Sequence, residues 1–489
     1  MRLTAPALAL CLCSALQAQT APAQAEWGQF RGPGGSGIYA GEEFLPTEFS
    51  PGKNERWSAE VPAGHSSPVV AGGRVLLTGH TSGRLETLCL DLESGSLLWR
   101  RSIASGAAQT RLHRTNSPAS ATPVCDGERV VAYFASFGLV AYDMLGQESW
   151  RRPLPTPGNT FGTSSSPILS NGRLLFLHDV RGGSYLEAMD PATGEVLWHQ
   201  ERADIGPGWS TPSVRHLEER SEVLAYGPGW LSAYDLQDGR PLWTVPGLTD
   251  EPIVIPGAAD GLVFVTSYNM NVNTEVERLP KFDDLLAELD TDGNGSLTPE
   301  ETEPNTSILS RHDADGEGDH PLRMFFRFLD ENKNGELEAG EYPKVIEWLA
   351  DMKFANALLA LRTNVEGSSV EIAWQWNRGV PECPSPILVG EHIILVKNGG
   401  IVTCLRRSDG ELVYEGRLDQ RGPMYASPVA GDGKLYTCSA RGQVTVFGQG
   451  DSLNVLARND IGERIMATPA LAGGSVLIRT TTRLYAFGD

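Results

Sequence analysis

Short apolar runs separated by glycine-containing turns recur along most of the chain and predict β-strands. Residues 67–101 read SPVVAGGRVLLTGHTSGRLETLCLDLESGSLLWRR, in which the turns GG, SG and SG separate four short segments. Apolar residues within each segment, bounded by glycine and serine, are typical of strands joined by tight turns. This stretch therefore predicts one four-stranded antiparallel sheet.

The same unit repeats, and a proline preceded in most cases by serine or threonine marks the start of each copy. The spacings between successive prolines are 55, 44, 45, 44, 130, 42 and 41 residues. A period of about 45 residues is typical of propeller blades, and the long interval fits one more repeat plus an insertion of about 85 residues. The prolines are Pro68, Pro123, Pro167, Pro212, Pro256, Pro386, Pro428 and Pro469.

The repeats predict an all-β fold, an eight-bladed β-propeller over residues 26–489. In blade five, residues 262–268 are the predicted second strand and residues 357–362 the third, so the insertion lies between them. The eighth repeat ends after three strands, while the segment around Trp57 is a strand without a repeat of its own. We expect the Trp57 strand to complete blade eight, because closing the ring leaves no unpaired sheet edge.

An aromatic residue ends a second periodic pattern, in which aspartate is followed by glycine and, after three intervening residues, by the aromatic ring. One aromatic at a constant place in a repeat is what packing between neighbouring blades requires. We therefore expect these side chains to pack between blades and not to stack on a cofactor. They are Trp99, Trp150, Trp198, Trp243 and Tyr414.

The insertion contains two twelve-residue stretches, 290–301 (DTDGNGSLTPEE) and 330–341 (DENKNGELEAGE), with oxygen side chains at positions 1, 3, 5 and 12 and glycine at position 6. A hard dication prefers oxygen ligands, and the glycine allows the loop to turn around it. Apolar residues at helical spacing precede both stretches, and Leu297 and Leu337 at position 8 are expected to share a short strand contact. Pro304 makes the exit from the first loop less regular.

These observations predict a small α-helical EF-hand pair over residues 275–355 that binds calcium at two sites. The alternative is a pair of solvated acidic turns. The expected metal ligands are Asp290, Asp292, Asn294, Ser296, Glu301, Asp330, Asn332, Asn334, Glu336 and Glu341.

Charge and the N-terminal residues limit the classes of partner and the compartment. The net charge is −21, and residues 281–353 carry 19 acidic and 7 basic side chains, a net of −12. This argues against nucleic acid or an anionic membrane as partner. Residues 1–25 read as a signal peptide, and no later segment is long and apolar enough to be transmembrane. We expect a periplasmic or secreted protein.

The loop between the second and third strands of a blade lies at the same end as the loop that leads into the blade. The insertion therefore shares a face with the least repetitive loops, and loops on a rigid scaffold often carry binding residues. The alternative is that these are ordinary polar loop tips. The candidate ligand-binding residues are His113, Arg114, Asn116, Asn159 and Trp209.

The third repeat contains the pattern AxDxxTGxxxW, formed by Ala188, Asp190, Thr193, Gly194 and Trp198. In this pattern the chain resembles the PQQ-like β-propeller repeat family, and the likeness extends from Trp27 to the C-terminus apart from the insertion. One branch of that family, the BamB-like proteins, implies an eight-bladed scaffold that binds partner proteins through its loops. The other branch implies a quinoprotein dehydrogenase with pyrroloquinoline quinone (PQQ) and calcium in the channel.

The dehydrogenase branch has two adjacent cysteines under the quinone, and this chain has no such pair. PQQ is therefore not expected, and catalysis is left open. The sequence favours a monomeric calcium-binding scaffold that binds a protein or a small molecule through its loop face. The alternative is a PQQ-dependent dehydrogenase acting on alcohols or sugars.

Overall fold

A computed structural model describes most of the 489-residue chain. The described residues are 27–105, 112–113, 115–159, 161–202, 206–269, 280–302, 307–309, 320–322, 326, 329–343, 356–363, 369–420 and 422–488. The expected signal peptide, 1–25, lies outside them.

Eight antiparallel sheets of four strands form the blades of a propeller, as the repeats predict. Blades one to four consist of β2 (Val69–Ala71), β3 (Arg74–Thr81), β4 (Arg84–Asp91), β5 (Leu97–Ala104), β6 (Val124–Cys125), β7 (Arg129–Phe134), β8 (Gly138–Asp143), β9 (Glu148–Pro153), β10 (Ile168–Ser170), β11 (Arg173–His178), β12 (Tyr185–Met189), β13 (Val196–Glu201), β14 (Ser213–His216), β15 (Ser221–Gly227), β16 (Trp230–Asp235) and β17 (Pro241–Pro246).

Blades five to eight continue the series after the same pattern. Their strands are β18 (Gly257–Ala259), β19 (Leu262–Ser267), β22 (Ala357–Thr363), β23 (Val370–Trp376), β24 (Ile387–Val389), β25 (His392–Lys397), β26 (Ile401–Arg406), β27 (Leu412–Arg417), β28 (Val429–Gly431), β29 (Lys434–Cys438), β30 (Gln443–Gly448), β31 (Val455–Asp460), β32 (Ala470–Ala472), β33 (Ser475–Arg479), β34 (Arg483–Phe487) and β1 (Glu55–Glu60).

The strand β1 closes the ring by pairing with β34, and Trp57 lies opposite Ala486. The prediction that the Trp57 strand completes blade eight is therefore confirmed. Phe49 reinforces the closure by stacking on Phe487 with 4.8 Å between ring centroids.

The periodic tryptophans pack between blades, as expected. The indole N–H of Trp99 donates to the Met144 carbonyl in the next blade at 3.0 Å, and Trp198 donates in the same way to Leu236 at 3.0 Å. The glycine of the pattern provides the space, because a Cβ on Gly146 would lie 2.7 Å from the Trp99 ring. The indoles of Trp99 and Trp198 therefore fasten their blades to the turn of the following one.

A second set of inter-blade bonds surrounds the channel at the residues that precede the prolines. The backbone N–H of Ser67 donates to Thr122 Oγ1 at 2.9 Å, and that of Thr122 donates to Ser166 Oγ at 3.0 Å. The pattern continues from Ser166 to Thr211 at 3.0 Å. The series is interrupted at the next junction, because Ile255, which precedes Pro256, has no side-chain hydroxyl to accept a hydrogen bond. The repeated Ser/Thr-Pro pair thus precedes the innermost strand of a blade and also links it to the neighbouring blade by a hydrogen bond.

The segment of residues 27–39, here called the crossing segment, passes across one end of the channel. Trp27 pairs with Val70 of blade one, and the Gly28 carbonyl accepts the N–H of Cys125 in blade two at 2.7 Å. Further on, the Gly37 carbonyl accepts the N–H of Ala430 in blade seven at 2.8 Å. The segment therefore ties together the inner strands of blades one, two and seven.

The insertion leaves β19 and returns in β22, which confirms its predicted place between the second and third strands of blade five. Its helix α1 (Phe282–Leu289) precedes the first acidic loop, and β20 (Ser307–Leu309) pairs with β21 (His320–Pro321). Residues 275–279, 303–306, 310–319, 323–325, 327–328 and 344–355 of the predicted EF-hand pair lie outside the described residues, so only part of that prediction has counterparts in the structure.

Candidate functional site

Three loops that each lead from one blade into the next bring aromatic side chains together on one face, here called the loop face. The rings of His113 and Phe161 meet edge to face with 5.2 Å between centroids, and those of Phe161 and Trp209 meet with 5.7 Å between centroids. Phe161 is 39% exposed, whereas His113 and Trp209 are partly buried. The result is a continuous aromatic row, His113–Phe161–Trp209, across the junctions of blades one to four.

The predicted polar candidates Asn116 and Asn159 support this row. Asn116 Nδ2 donates to the Phe161 carbonyl at 2.6 Å, and Asn116 Oδ1 accepts the N–H of Ser117 at 2.7 Å. Asn159 is buried, and its Oδ1 accepts the N–H of Arg181 at 3.3 Å. The two amides fix the loops, so the rings form the exposed part of the site. Arg114 lies outside the described residues.

Trp209 is held rigidly at the end of the row. Its indole N–H donates to the Gly162 carbonyl at 2.8 Å, and its backbone N–H donates to the Pro252 carbonyl at 3.0 Å. The first bond joins two inter-blade loops and the second joins Trp209 to the loop before blade five. A rigid aromatic platform loses little conformational entropy when a partner binds.

Carboxylates lie beyond Trp209, in the loops before blades five and six. Burial raises the pKa of Glu251, and the nearby charges of Glu382 and Asp250 raise it further. Burial likewise raises the pKa of Asp250. Repulsion among these groups makes this end of the aromatic row a place where a cationic group would be favoured.

The first acidic loop follows α1 and is folded around its own backbone. Asp290 Oδ2 accepts the N–H of Gly295 at 2.9 Å, and the two oxygens of Glu301 accept the N–H groups of Thr291 and Thr298, each at 2.9 Å. These bonds lower the pKa of Glu301 to about 2. Oxygens of Asp290, Asp292 and Glu301 all lie within 4.8 Å of one another.

The second loop repeats this arrangement position by position. Asp330 Oδ2 accepts the N–H of Gly335 at 3.0 Å, and Glu341 accepts the N–H groups of Glu331 at 2.9 Å and Glu338 at 3.1 Å. In both loops the side-chain oxygen at position 5 accepts the N–H at position 7, from Ser296 to Asn294 and from Glu336 to Asn334, each at 2.8 Å. The side-chain oxygen at position 3 accepts the N–H at position 5, from Asn294 to Asp292 at 3.0 Å and from Asn334 to Asn332 at 2.8 Å.

The two loops are coupled to each other. Leu297 and Leu337 form an antiparallel bridge whose two N–H···O bonds measure 3.0 and 2.7 Å, as the pattern at position 8 predicts. Ser296 Oγ donates across the same contact to Glu336 Oε2 at 2.7 Å. Both leucines are fully buried in a small core of their own, with Phe282, Leu285, Leu289, Leu322, Phe326, Leu329 and Tyr342.

Two features of these sites escaped the sequence reasoning. Phe161 was not among the candidate residues, although it is the most exposed ring of the row. Its signal was an aromatic residue directly before a glycine in the non-repetitive loop 159–162. The hydrogen bond between Ser296 and Glu336 depends on the relative orientation of the two loops, which cannot be derived from their separation in the sequence.

Comparison of the sequence with known proteins identifies related chains. The sequence profile of the family described as outer membrane protein assembly factor BamB matches residues 48–183 and 182–314, which together exceed half of the chain. The BamB of Legionella pneumophila (strain Paris) is 32% identical over 138 residues, which are 28% of this chain and 32% of that protein. The chain thus aligns with about a third of the length of this curated relative.

Solved structures show the same fold over nearly the whole chain. BamB from Moraxella catarrhalis superposes with a TM-score of 0.50 at 12% identity, covering 88% of this chain and 98% of that one. The computationally designed Ika8 protein superposes with a TM-score of 0.51 at 9% identity, covering 89% and 99%. Within the described residues, no helix has the length and apolar character needed to cross a bilayer. On the match of its sequence to the family profile, this chain belongs to the PQQ-like β-propeller family of the outer membrane protein assembly factor BamB.

Proposed function

We propose that this protein is a periplasmic or secreted scaffold that binds a protein partner through the loop face, beside an insertion held in shape by two calcium ions. The observation that carries the proposal is the aromatic row His113–Phe161–Trp209, which presents an exposed ring on rigidly bonded loops. Membership of the BamB family supports a protein partner.

The surroundings of the row define the partner's chemistry. Aromatic rings contribute large apolar contact area at interfaces, and the carboxylates Asp250 and Glu251 beyond Trp209 favour a cationic neighbour. The strongly acidic insertion lies on the same face by topology. The partner segment should therefore combine apolar side chains with lysine or arginine, because such charges complement the acidic end of the face.

Calcium is proposed for the two acidic loops because both hold oxygen ligands in corresponding places. Positions 1, 3 and 5 offer side-chain oxygens, position 7 (Ser296 and Glu336) offers a carbonyl, and the position-12 glutamates Glu301 and Glu341 face back across each loop. With affinities of about 10⁻⁵ to 10⁻³ M, external calcium would keep such sites largely filled, so calcium would stabilise the insertion and not act as a switch.

Site-specific photo-crosslinking tests the loop face. A photoreactive phenylalanine analogue at Phe161 in cells should give one discrete crosslinked product. Leu145 provides the control, because it is 71% exposed in a turn at the opposite end of its blade. Crosslinks of equal yield at both positions, or none at Phe161, would refute the docking role. A product that mass spectrometry identifies as a glycan or a lipid would do the same.

Titration calorimetry tests the calcium sites. The protein should bind two calcium ions, and a variant carrying Glu301→Gln and Glu341→Gln should bind them at least tenfold more weakly, because each substitution removes a bidentate ligand. Exposed Glu93→Gln provides a matched control that should leave the titration unchanged. Equal calcium binding by the double variant would remove the assignment.

A further inference from the structure

Arg31 of the crossing segment is a fully buried cation, and no carboxylate of the described residues pairs with it. It is 2% exposed, and its Nη2 donates to two backbone carbonyls, Pro386 at 2.8 Å and Ser36 at 3.4 Å. Its Nε, also buried, donates to no protein atom. Burying a charge without a counter-ion is costly, and an unpaired buried donor adds to that cost.

The other buried arginines of the described chain show how this protein usually satisfies such a group. Arg202 forms a two-point ion pair with Asp179, at 2.8 and 3.1 Å, and Arg215 pairs with Glu222. Arg479 pairs with no carboxylate of the described residues and its Nε also has no acceptor there, but its two terminal nitrogens donate to three oxygens, Ser66 O, Ser66 Oγ and Pro62 O. Arg31 has the least complete set of acceptors among them.

A second orphan donor lies in the same segment. The indole N–H of Trp27 is buried and has no acceptor, although the side chain is completely enclosed. Its ring packs on Gly32, the residue next to Arg31, where a Cβ would lie 2.6 Å from the ring. Two buried donors without acceptors in one segment create a need for an acceptor and not for a cation.

The backbone supports the same interpretation. Arg31 has a φ of 60°, in the left-handed region that residues with a Cβ rarely adopt. Such strain persists where the surrounding structure requires it, and it often accompanies a binding role. Here it turns the chain after Gln29, which accepts the N–H of Leu169 in blade three, so that the guanidinium reaches Pro386 in blade six.

The side chain keeps its charge at neutral pH. Burial lowers the pKa of Arg31 to about 9, which is still above 7. The enclosed end of the channel therefore holds a full positive charge and two donors that lack acceptors. Unsatisfied buried groups of this kind are explained by a bound ion or by water.

We propose that the channel end closed by the crossing segment binds one small monovalent anion, a halide or a small carboxylate such as formate or acetate, at the guanidinium of Arg31. A single charge matches a single guanidinium, and the burial of Arg31, which is 2% exposed, favours a small ion. The anion joins the segment to the ring and completes the bonding of Arg31. This site is independent of the loop face and of calcium.

Bromide soaking of crystals of the full chain, grown without chloride, tests the site directly. Anomalous scattering should show one bromide within hydrogen-bonding distance of Arg31 Nε, and Arg31→Gln should abolish it. Density for water alone in bromide-soaked crystals, or equal bromide occupancy in Arg31→Gln, would overturn the proposal. Competition by formate or acetate against bromide then separates a halide site from a carboxylate site.

Thermal unfolding provides a second measurement in solution at constant ionic strength. Replacing gluconate, a much larger anion, by chloride should raise Tm with a saturating dependence on chloride concentration. Trp27→Phe, which keeps the ring but removes the donor, should weaken the apparent affinity several-fold. Arg479→Gln is the matched control, since it removes an equally buried arginine and should lower Tm while leaving the chloride dependence intact. An unchanged chloride dependence in Arg31→Gln would also overturn the proposal.

Discussion

The backbone N–H of Thr468 donates to Ser67 Oγ at 3.1 Å, joining residues 401 positions apart. This bond is the last link of the hydroxyl series around the channel, and it lies where blade eight meets blade one. Together with the pairing of β1 and β34, it makes the two ends of the repeat region a single continuous ring.

Removing the acceptor of this link should destabilise the whole ring. Ser67→Ala leaves the buried N–H of Thr468 without a partner, which should lower the free energy of unfolding by about 1–3 kcal/mol. Ser452→Ala, at an exposed position, should change it by less than about 0.5 kcal/mol. Urea unfolding measures both, and equal losses would show that the link contributes nothing specific.

The junction of blades four and five depends on a buried ion pair. Ile255 supplies no hydroxyl there, and the indole of Trp243 donates to Glu222 within its own blade at 3.2 Å. Arg215 compensates by bonding both Glu222 and, across the junction, Thr363 Oγ1 at 3.1 Å. Glu222→Gln should cost about 3–5 kcal/mol, because it leaves buried Arg215 without its counter-charge.

An exposed pair provides the control for this prediction. Asp409→Asn removes a partner of Arg406 where both side chains are about half exposed, and it should cost less than about 1 kcal/mol. Hydrogen exchange should also show that the Glu222→Gln variant opens first in β17 and β23, the outer strands on either side of the junction. Uniform opening of all blades would contradict this.

Chelation should affect the insertion and spare the ring. The small core around Leu297 and Leu337 is separate from the cores of the blades, so loss of calcium should loosen residues 280–343 alone. Limited proteolysis with and without EGTA should show new cleavage sites there while the blade regions remain resistant. Protection that is identical in both conditions would indicate that calcium does not hold the insertion in shape.

Acid should weaken the fold through buried His178, which packs against Phe176 and Tyr185. Burial lowers its pKa to about 4, with Arg152 assisting and Glu187 opposing. The unfolded chain, with a histidine pKa near 6.5, therefore binds more protons between pH 6.5 and 4, so stability falls as the pH falls through this window. His178→Phe should reduce the difference in unfolding free energy between pH 7 and pH 4.5 by about 2 kcal/mol. Urea titrations at the two pH values measure it.

Periodic features of the fold could be predicted from the sequence because the same residue pattern recurs in each repeat. The Ser/Thr-Pro pairs gave the number of blades, the pattern around Trp198 gave the packing between them, and the missing strand of the last repeat gave the role of Trp57. The bridge between Leu297 and Leu337 followed from matching positions in two similar loops.

Features that occur once could not be predicted in this way. The crossing segment has no periodicity, and the bonds of Arg31 join residues 355 positions apart. Asn116 and Asn159 were predicted as ligand-binding residues because they are polar and lie in loops, yet their amide oxygens accept hydrogen bonds from backbone N–H groups. Whether a loop amide faces a ligand or its own loop depends on the folded geometry. The ligand face therefore stays a prediction, and the most exposed ring of the row His113–Phe161–Trp209 is that of Phe161.

The pairing of β1 with β34 sets a requirement on the order of synthesis. The strand β1 is made before the other blade strands and its partner β34 after them, so blade eight has no complete sheet until almost all of the repeat region has been translated. Until then an open strand edge is available to neighbouring chains. Nascent molecules of this protein should thus need protection from aggregation for as long as their last blade is missing.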